Sequence, residues 1–173
     1  MIIFLSILSI YIITSIILYV CMDKRCKTNR VFKAPKYSFI YYLLSFTWGL
    51  PFTLIGCIVA FILICTGRKP VKYGWNWYFE IEGIDWGLNL GLFIIVPKEC
   101  GNALRNHEHG HGIQNTYFGI FTPAIVAIPS AIRFWYIIIK QKKNKMFTYN
   151  YDDIWFEGSA TESGNALLGR LKK

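Results

Sequence analysis

The chain alternates long stretches that carry no charge with short stretches dense in it. Met1 to Met22 contains no charged residue, and Ile2 to Val20 is long enough to cross a bilayer as one helix. No basic residue precedes this run and no small-x-small cleavage site follows it, so an uncleaved anchor is expected rather than a signal peptide. The second uncharged run, Tyr37 to Gly67, would be about 45 Å long as one helix, against a hydrocarbon core of about 30 Å. It must tilt, kink or fold back. Trp48-Gly49-Leu50-Pro51 lies near its middle, and Pro removes a backbone donor and clashes with the preceding turn; a kinked span and a re-entrant hairpin bent at Pro51 are both open. A third run, residues 119–139, holds Arg133 after only 14 uncharged residues, with Pro123 and Pro129 placed to break its helical ladder. It is expected to be buried, interfacial or re-entrant rather than spanning.

Between these runs the period changes. In Tyr73, Trp75, Trp77, Phe79 and Ile81 the apolar residues alternate with Gly74, Asn76, Tyr78, Glu80 and Glu82, the period of a half-buried strand. A turn over Gly83 to Gly87 leads to a second run, Leu88 to Val96, ended by Pro97, so residues 71–96 read as a β-hairpin. A helix follows from about Asn102 to a stop at Gly119. It carries His107, Glu108 and His111 in the spacing H-E-x-x-H. On a helix, residues four apart share a face, so two imidazoles can hold one Zn²⁺ while Glu108, one position round, can take a proton from water on the ion. His107, His109 and His111 are the only histidines in the chain, three within five positions. His109 points to the opposite face and is expected at the surface or in a supporting role.

Composition and charge narrow the class. Hydrophobic residues make up 54% of the 173, with 6 Trp, 11 Tyr and 13 Phe, which excludes disorder. Five Cys are too few, and odd in number, for a disulfide scaffold. The net charge is +9, but the basic residues crowd beside the apolar runs: six lie in the loop 21–37, and Lys140, Lys142, Lys143 and Lys145 form a second cluster. That placement follows the positive-inside rule and argues for a lipid bilayer as the partner, not a nucleic acid.

A catalytic zinc site needs a third protein ligand, and no fourth His exists. The ligand must be a carboxylate or Cys100. Glu157 sits among large apolar residues in a helix opened by the acidic pair Asp152-Asp153, where an unpaired carboxylate would be costly; a metal would remove that cost. Glu162, flanked by small and polar residues, is the runner-up.

His107-Glu108-x-Gly110-His111 followed by Glu157-x-x-Ala160-Thr161 resembles the gluzincin pattern of M48-type integral-membrane metallopeptidases. Thr161 stands where that family has an Asp that orients a zinc-binding His. Thr47 to Pro51, Asn106 to His111, Ile128 to Arg133 and Ile154 to Gly158 are in addition similar to a group of short bacterial integral-membrane HExxH proteins, over residues 40 to 170. The resemblance implies a protein of the bacterial plasma membrane.

The expected fold is membrane α+β: membrane helices over 1–67, then a zincin-like metal-binding region over 68–173 that includes the apolar segment 119–139. If His107, His111 and Glu157 share one ion, the chain between them crosses the bilayer an even number of times, so 119–139 cannot be a simple single span. Whether 37–67 crosses once or folds back decides the face that holds the site, and the charge rule favours the cytoplasmic one. The expected function is zinc-dependent hydrolysis of a peptide or membrane-tethered protein, with Glu108 as general base; a non-catalytic zinc-binding protein acting as a structural or regulatory partner is the alternative.

Overall fold

The structure, a computed structural model, describes residues 37–144 and 151–169 together with positions 5, 6, 9, 13 and 148. The first apolar run and the basic loop before Tyr37 lie outside the described residues. Those described form a mixed α/β fold of five α-helices and one four-stranded sheet: α1 (Ser38–Phe46), α2 (Leu50–Cys65), β1 (Val71–Tyr73), β2 (Asn76–Ile81), β3 (Leu88–Leu90), β4 (Phe93–Pro97), α3 (Asn102–Phe118), α4 (Ile128–Lys143) and α5 (Trp155–Gly169).

The second apolar run is two helices bent 91° to one another. The bend falls before Pro51, at Thr47–Gly49, and Pro51 opens α2 in its first turn, where its missing N–H has no intrahelical partner to lose. The elbow clasps the end of α3: Trp48 Nε1 donates to the Tyr117 carbonyl at 3.2 Å and Asn115 Nδ2 to the Gly49 carbonyl at 3.3 Å.

The single hairpin expected over 71–96 is instead two small ones laid side by side. β1 and β2 join through the two-residue turn Gly74-Trp75, β3 and β4 through Gly91-Leu92. Both first turn positions have positive φ, which glycine adopts without cost. The sheet order is β1-β2-β4-β3, with β2 and β4 parallel at its centre. Consequently both faces of β2 are covered. Trp75, Trp77, Phe79 and Phe93 join Tyr41, Phe46 and Cys57 in one core cluster, while Tyr73, Tyr78, Ile94, Val96 and Leu168 form another. The turn moves Tyr73 to the face opposite Trp77, so the alternation does not run unbroken through 73–81.

The third run stays helical through both of its prolines. Pro123–Lys143 is one helical stretch of 21 residues, long and apolar enough to cross a membrane. Its prolines do not break it because each stands where a helix type begins: Pro123 opens a π turn over Pro123–Ala127, and Pro129 lies in the first turn of α4. No residue of α4 is buried, and Ile128, Ile132, Trp135, Tyr136 and Ile139 are exposed. Arg133 turns back to the body, donating to the Tyr151 carbonyl at 3.4 Å.

Candidate metal centre

The site is made where α3 crosses α5, the most extensive helix contact among the described residues. Two glycines allow the close approach. A Cβ on Gly110 would collide with the Ala160 carbonyl, and one on Gly164 with the Asn106 carbonyl. The backbones therefore nearly touch, and Glu157, one turn before Ala160 on α5, reaches the two histidines of α3.

His107 Nε2, His111 Nε2 and Glu157 Oε2 form a triangle with sides of 3.1, 3.0 and 3.2 Å. Among the described residues this is the group of His, Cys, Asp and Glu that can hold a metal ion. Glu157 is fully buried, whereas the imidazoles keep 12% and 13% of their surface, so the triangle is reachable from one side. Glu162, by contrast, is exposed, and Cys100 packs against the second core cluster. His109 faces away from the triangle, as expected, but it is not at the surface. It is fully buried, accepts the Trp75 N–H at Nε2 over 3.1 Å and packs on the rings of Tyr41 and Trp75. Burial, with Lys72 nearby, lowers its pKa to about 3. It is a neutral core residue that ties α3 to the β1–β2 turn.

Hydrogen bonding fixes which nitrogen of each imidazole is bare. Gln114 Nε2 donates to the Phe156 carbonyl at 2.5 Å and to Ser159 Oγ at 2.7 Å, which turns its Oε1 to accept the His111 Nδ1–H at 2.8 Å. Thr161 Oγ1 donates to Asp152 Oδ1 at 2.9 Å. A hydroxyl has one proton to donate, so toward His107 Nδ1, 2.7 Å away, Thr161 accepts. Both rings therefore carry hydrogen on Nδ1 and turn Nε2 inward. Three acceptors then face one another around a buried point, and Glu157 Oε1 is buried without a hydrogen-bond partner. Positive charge at the centre relieves this. A tetrahedral zinc with bonds of about 2.0–2.1 Å has ligand–ligand edges of about 3.3 Å, close to the sides observed, so the residues fit the ion.

Without a cation, protons serve in its place. Burial pushes Glu157 toward its neutral form, but hydrogen bonds from His107 and His111 outweigh this and hold its pKa well below the carboxylate range. Burial likewise disfavours charge on His111, yet Glu157 and Glu108 raise its pKa. Glu108 is buried beside the triangle and its pKa is raised, by burial first, against the pull of His111 and His107. Its carboxylate packs on Gly87, where a Cβ would collide with it.

Three residues join the site that the HExxH pattern does not name. Tyr151, in a 3₁₀ turn over Tyr151–Asp153, has its ring 6.1 Å from that of His107, and its hydroxyl pairs with Ser130 Oγ at 3.0 Å. Burial raises its pKa to about 12, so it remains a donor at neutral pH. Gln114 was open to detection, since i and i+3 share a helix face. Nothing local marks Ser130, which arrives from α4. A cavity of about 720 Å³ opens onto His107, Glu108 and His111, walled by Leu88 of β3, Leu104 of α3 and Phe134, Trp135 and Ile138 of α4. No protein-family model, curated protein or solved structure matches this chain.

Proposed function

We propose that the protein is a membrane-embedded zinc-dependent metallopeptidase. The observation that carries this reading is the convergence of His107 Nε2, His111 Nε2 and Glu157 Oε2 on one point with the buried carboxylate of Glu108 beside it. A bound zinc ion would supply Lewis acidity, polarising a peptide carbonyl and acidifying water. Glu108, its proton affinity raised by burial, takes the proton of the attacking water and delivers it to the leaving nitrogen. Tyr151, protonated at neutral pH, donates to the oxygen on which negative charge develops. β3 lies at the edge of the sheet, and an extended peptide laid along it places its apolar side chains in the cavity walled by Phe134, Trp135 and Ile138.

The length and apolar surface of Pro123–Lys143 support a place in the membrane, and the resemblance to gluzincin membrane peptidases agrees with the ligand set. The test is Glu108→Gln in the full-length protein. Zinc is retained at wild-type stoichiometry and peptide cleavage is lost; cleavage at the wild-type rate would refute the role of Glu108. His111→Ala and Glu157→Ala each lose the metal.

A further inference from the structure

We infer that Asp152 is the carboxylate that positions His107, acting through the hydroxyl of Thr161. This rests on the reading of the triangle as a metal centre. A metal-binding imidazole is commonly steered by a carboxylate on its other nitrogen, which fixes the tautomer and makes the ligating nitrogen more basic. His107 has no carboxylate at Nδ1; it has Thr161 Oγ1 at 2.7 Å. That hydroxyl is not the end of the chain, because it donates to Asp152 Oδ1 at 2.9 Å. The proton sequence is determined: a carboxylate only accepts, so Thr161 donates to it, and the hydroxyl lone pair is left for His107 Nδ1–H. Polarisation along such a chain strengthens each bond, so the negative charge of Asp152 is felt at His107 Nε2 with one hydroxyl interposed.

The fold holds both ends. Thr161 stands one turn after Glu157 on α5, so the helix that brings the carboxylate ligand also brings the hydroxyl. Asp152 belongs to the 3₁₀ turn Tyr151–Asp153, which places Tyr151 against Ser130 on the other side. The acidic pair Asp152-Asp153 therefore does more than open α5: Asp152 is a positioning residue of the metal site.

The experiment measures the zinc dissociation constant of the full-length protein by competition with a chromophoric chelator. Asp152→Ala and Thr161→Val each weaken binding by about tenfold to a hundredfold, and the double variant is no weaker than the worse single one, because both interrupt the same chain. Thr161→Asp combined with Asp152→Ala supplies the carboxylate directly and brings the constant back to within about threefold of wild type. Melting of the metal-free form is followed in parallel and falls only slightly in Asp152→Ala, whose side chain is exposed; a purely structural role would lower melting without weakening zinc binding. Wild-type zinc affinity in Asp152→Ala, additive losses in the double variant, or failure of the swap overturns the relay while leaving the metal centre standing. A wild-type protein that takes up no zinc overturns the metal centre and the relay with it.

Discussion

Gln114 Oε1 accepts the Nδ1–H of His111 at 2.8 Å, three residues further along the same helix, so the motif helix orients its own second histidine. The amide is held in that direction by its donations to Phe156 and Ser159 of α5. Gln114→Leu keeps the bulk and removes the acceptor. Zinc affinity should fall by about tenfold to a hundredfold, measured by chelator competition; unchanged affinity would mean that the imidazole needs no orienting partner.

Gly87, in the loop just before β3, lies against Glu108, the general base of the proposed reaction. A methyl group there meets the Glu108 carboxylate and must displace it. Gly87→Ala is expected to lower kcat by about a hundredfold, the scale of a lost acid–base group, with zinc stoichiometry intact. Loss of zinc together with activity would show that the loop supports the ligands instead.

Gly110 tests the helix crossing. Its α-carbon faces the Ala160 carbonyl too closely for any side chain, so Gly110→Ala pushes α3 and α5 apart. Overpacking of this kind costs about 1–3 kcal/mol, and the displacement opens the triangle. Both a lower Tm and weaker zinc binding are expected; a drop in Tm alone would separate packing from metal geometry.

Stability of the metal-free protein should depend on pH with a definite sign. The folded pKa of His111 is raised, so its contribution is full below the ordinary imidazole value and disappears as pH rises through the raised one. Glu108, also raised, acts in the same direction from lower pH. Glu157 is lowered, so its contribution is present above the ordinary carboxylate value and is lost as pH falls through the lowered one. At the triangle the metal-free trend therefore favours mild acid, while His109, with its pKa lowered to about 3, opposes it, because the unfolded imidazole takes up a proton as pH falls below its ordinary value. Zinc reverses the trend, because its ligands must be deprotonated; at a hundredfold excess over Kd it adds about 2.7 kcal/mol. Melting curves at pH 5.5 and 8, with and without zinc, measure this, and an equal zinc shift at the two pH values would contradict it.

The exposed apolar face of α4 should contact lipid. Spin labels at Ile132 and Ile139, which are 65% and 51% exposed, are expected to collide more often with oxygen than with a water-soluble nickel chelate in reconstituted vesicles. The reverse preference would place α4 in water.

How much of this was legible in the sequence follows from how local each signal is. The motif helix and its ligand pair need only the spacing of His107 and His111, and Glu157 stood out because a lone acid among Trp155, Phe156 and Ile154 requires a partner. Long-range pairing left no such mark. The parallel contact of β2 with β4 joins strands that are not neighbours in sequence, so an alternating run looked like half a hairpin. His109 looked exposed because a helix with one functional face usually shows its other face to solvent; here that face meets the sheet. Pro123 and Pro129 looked like breaks because a π turn between them, which residue type alone does not announce, lets the helix continue.

The long helix has a metric consequence. Tyr151, and with it the triangle, lies level with Ser130 and Arg133, while Lys140, Lys142 and Lys143 close the helix at its far end. At 1.5 Å per residue the lysines stand about 15 Å beyond the site, a distance that about five residues of extended chain would cover. If the proposed membrane placement and peptidase activity hold, with those lysines at the lipid headgroups, the helix would act as a depth gauge, and a substrate would be selected by how far its scissile bond lies from the membrane surface as well as by the side chains around it.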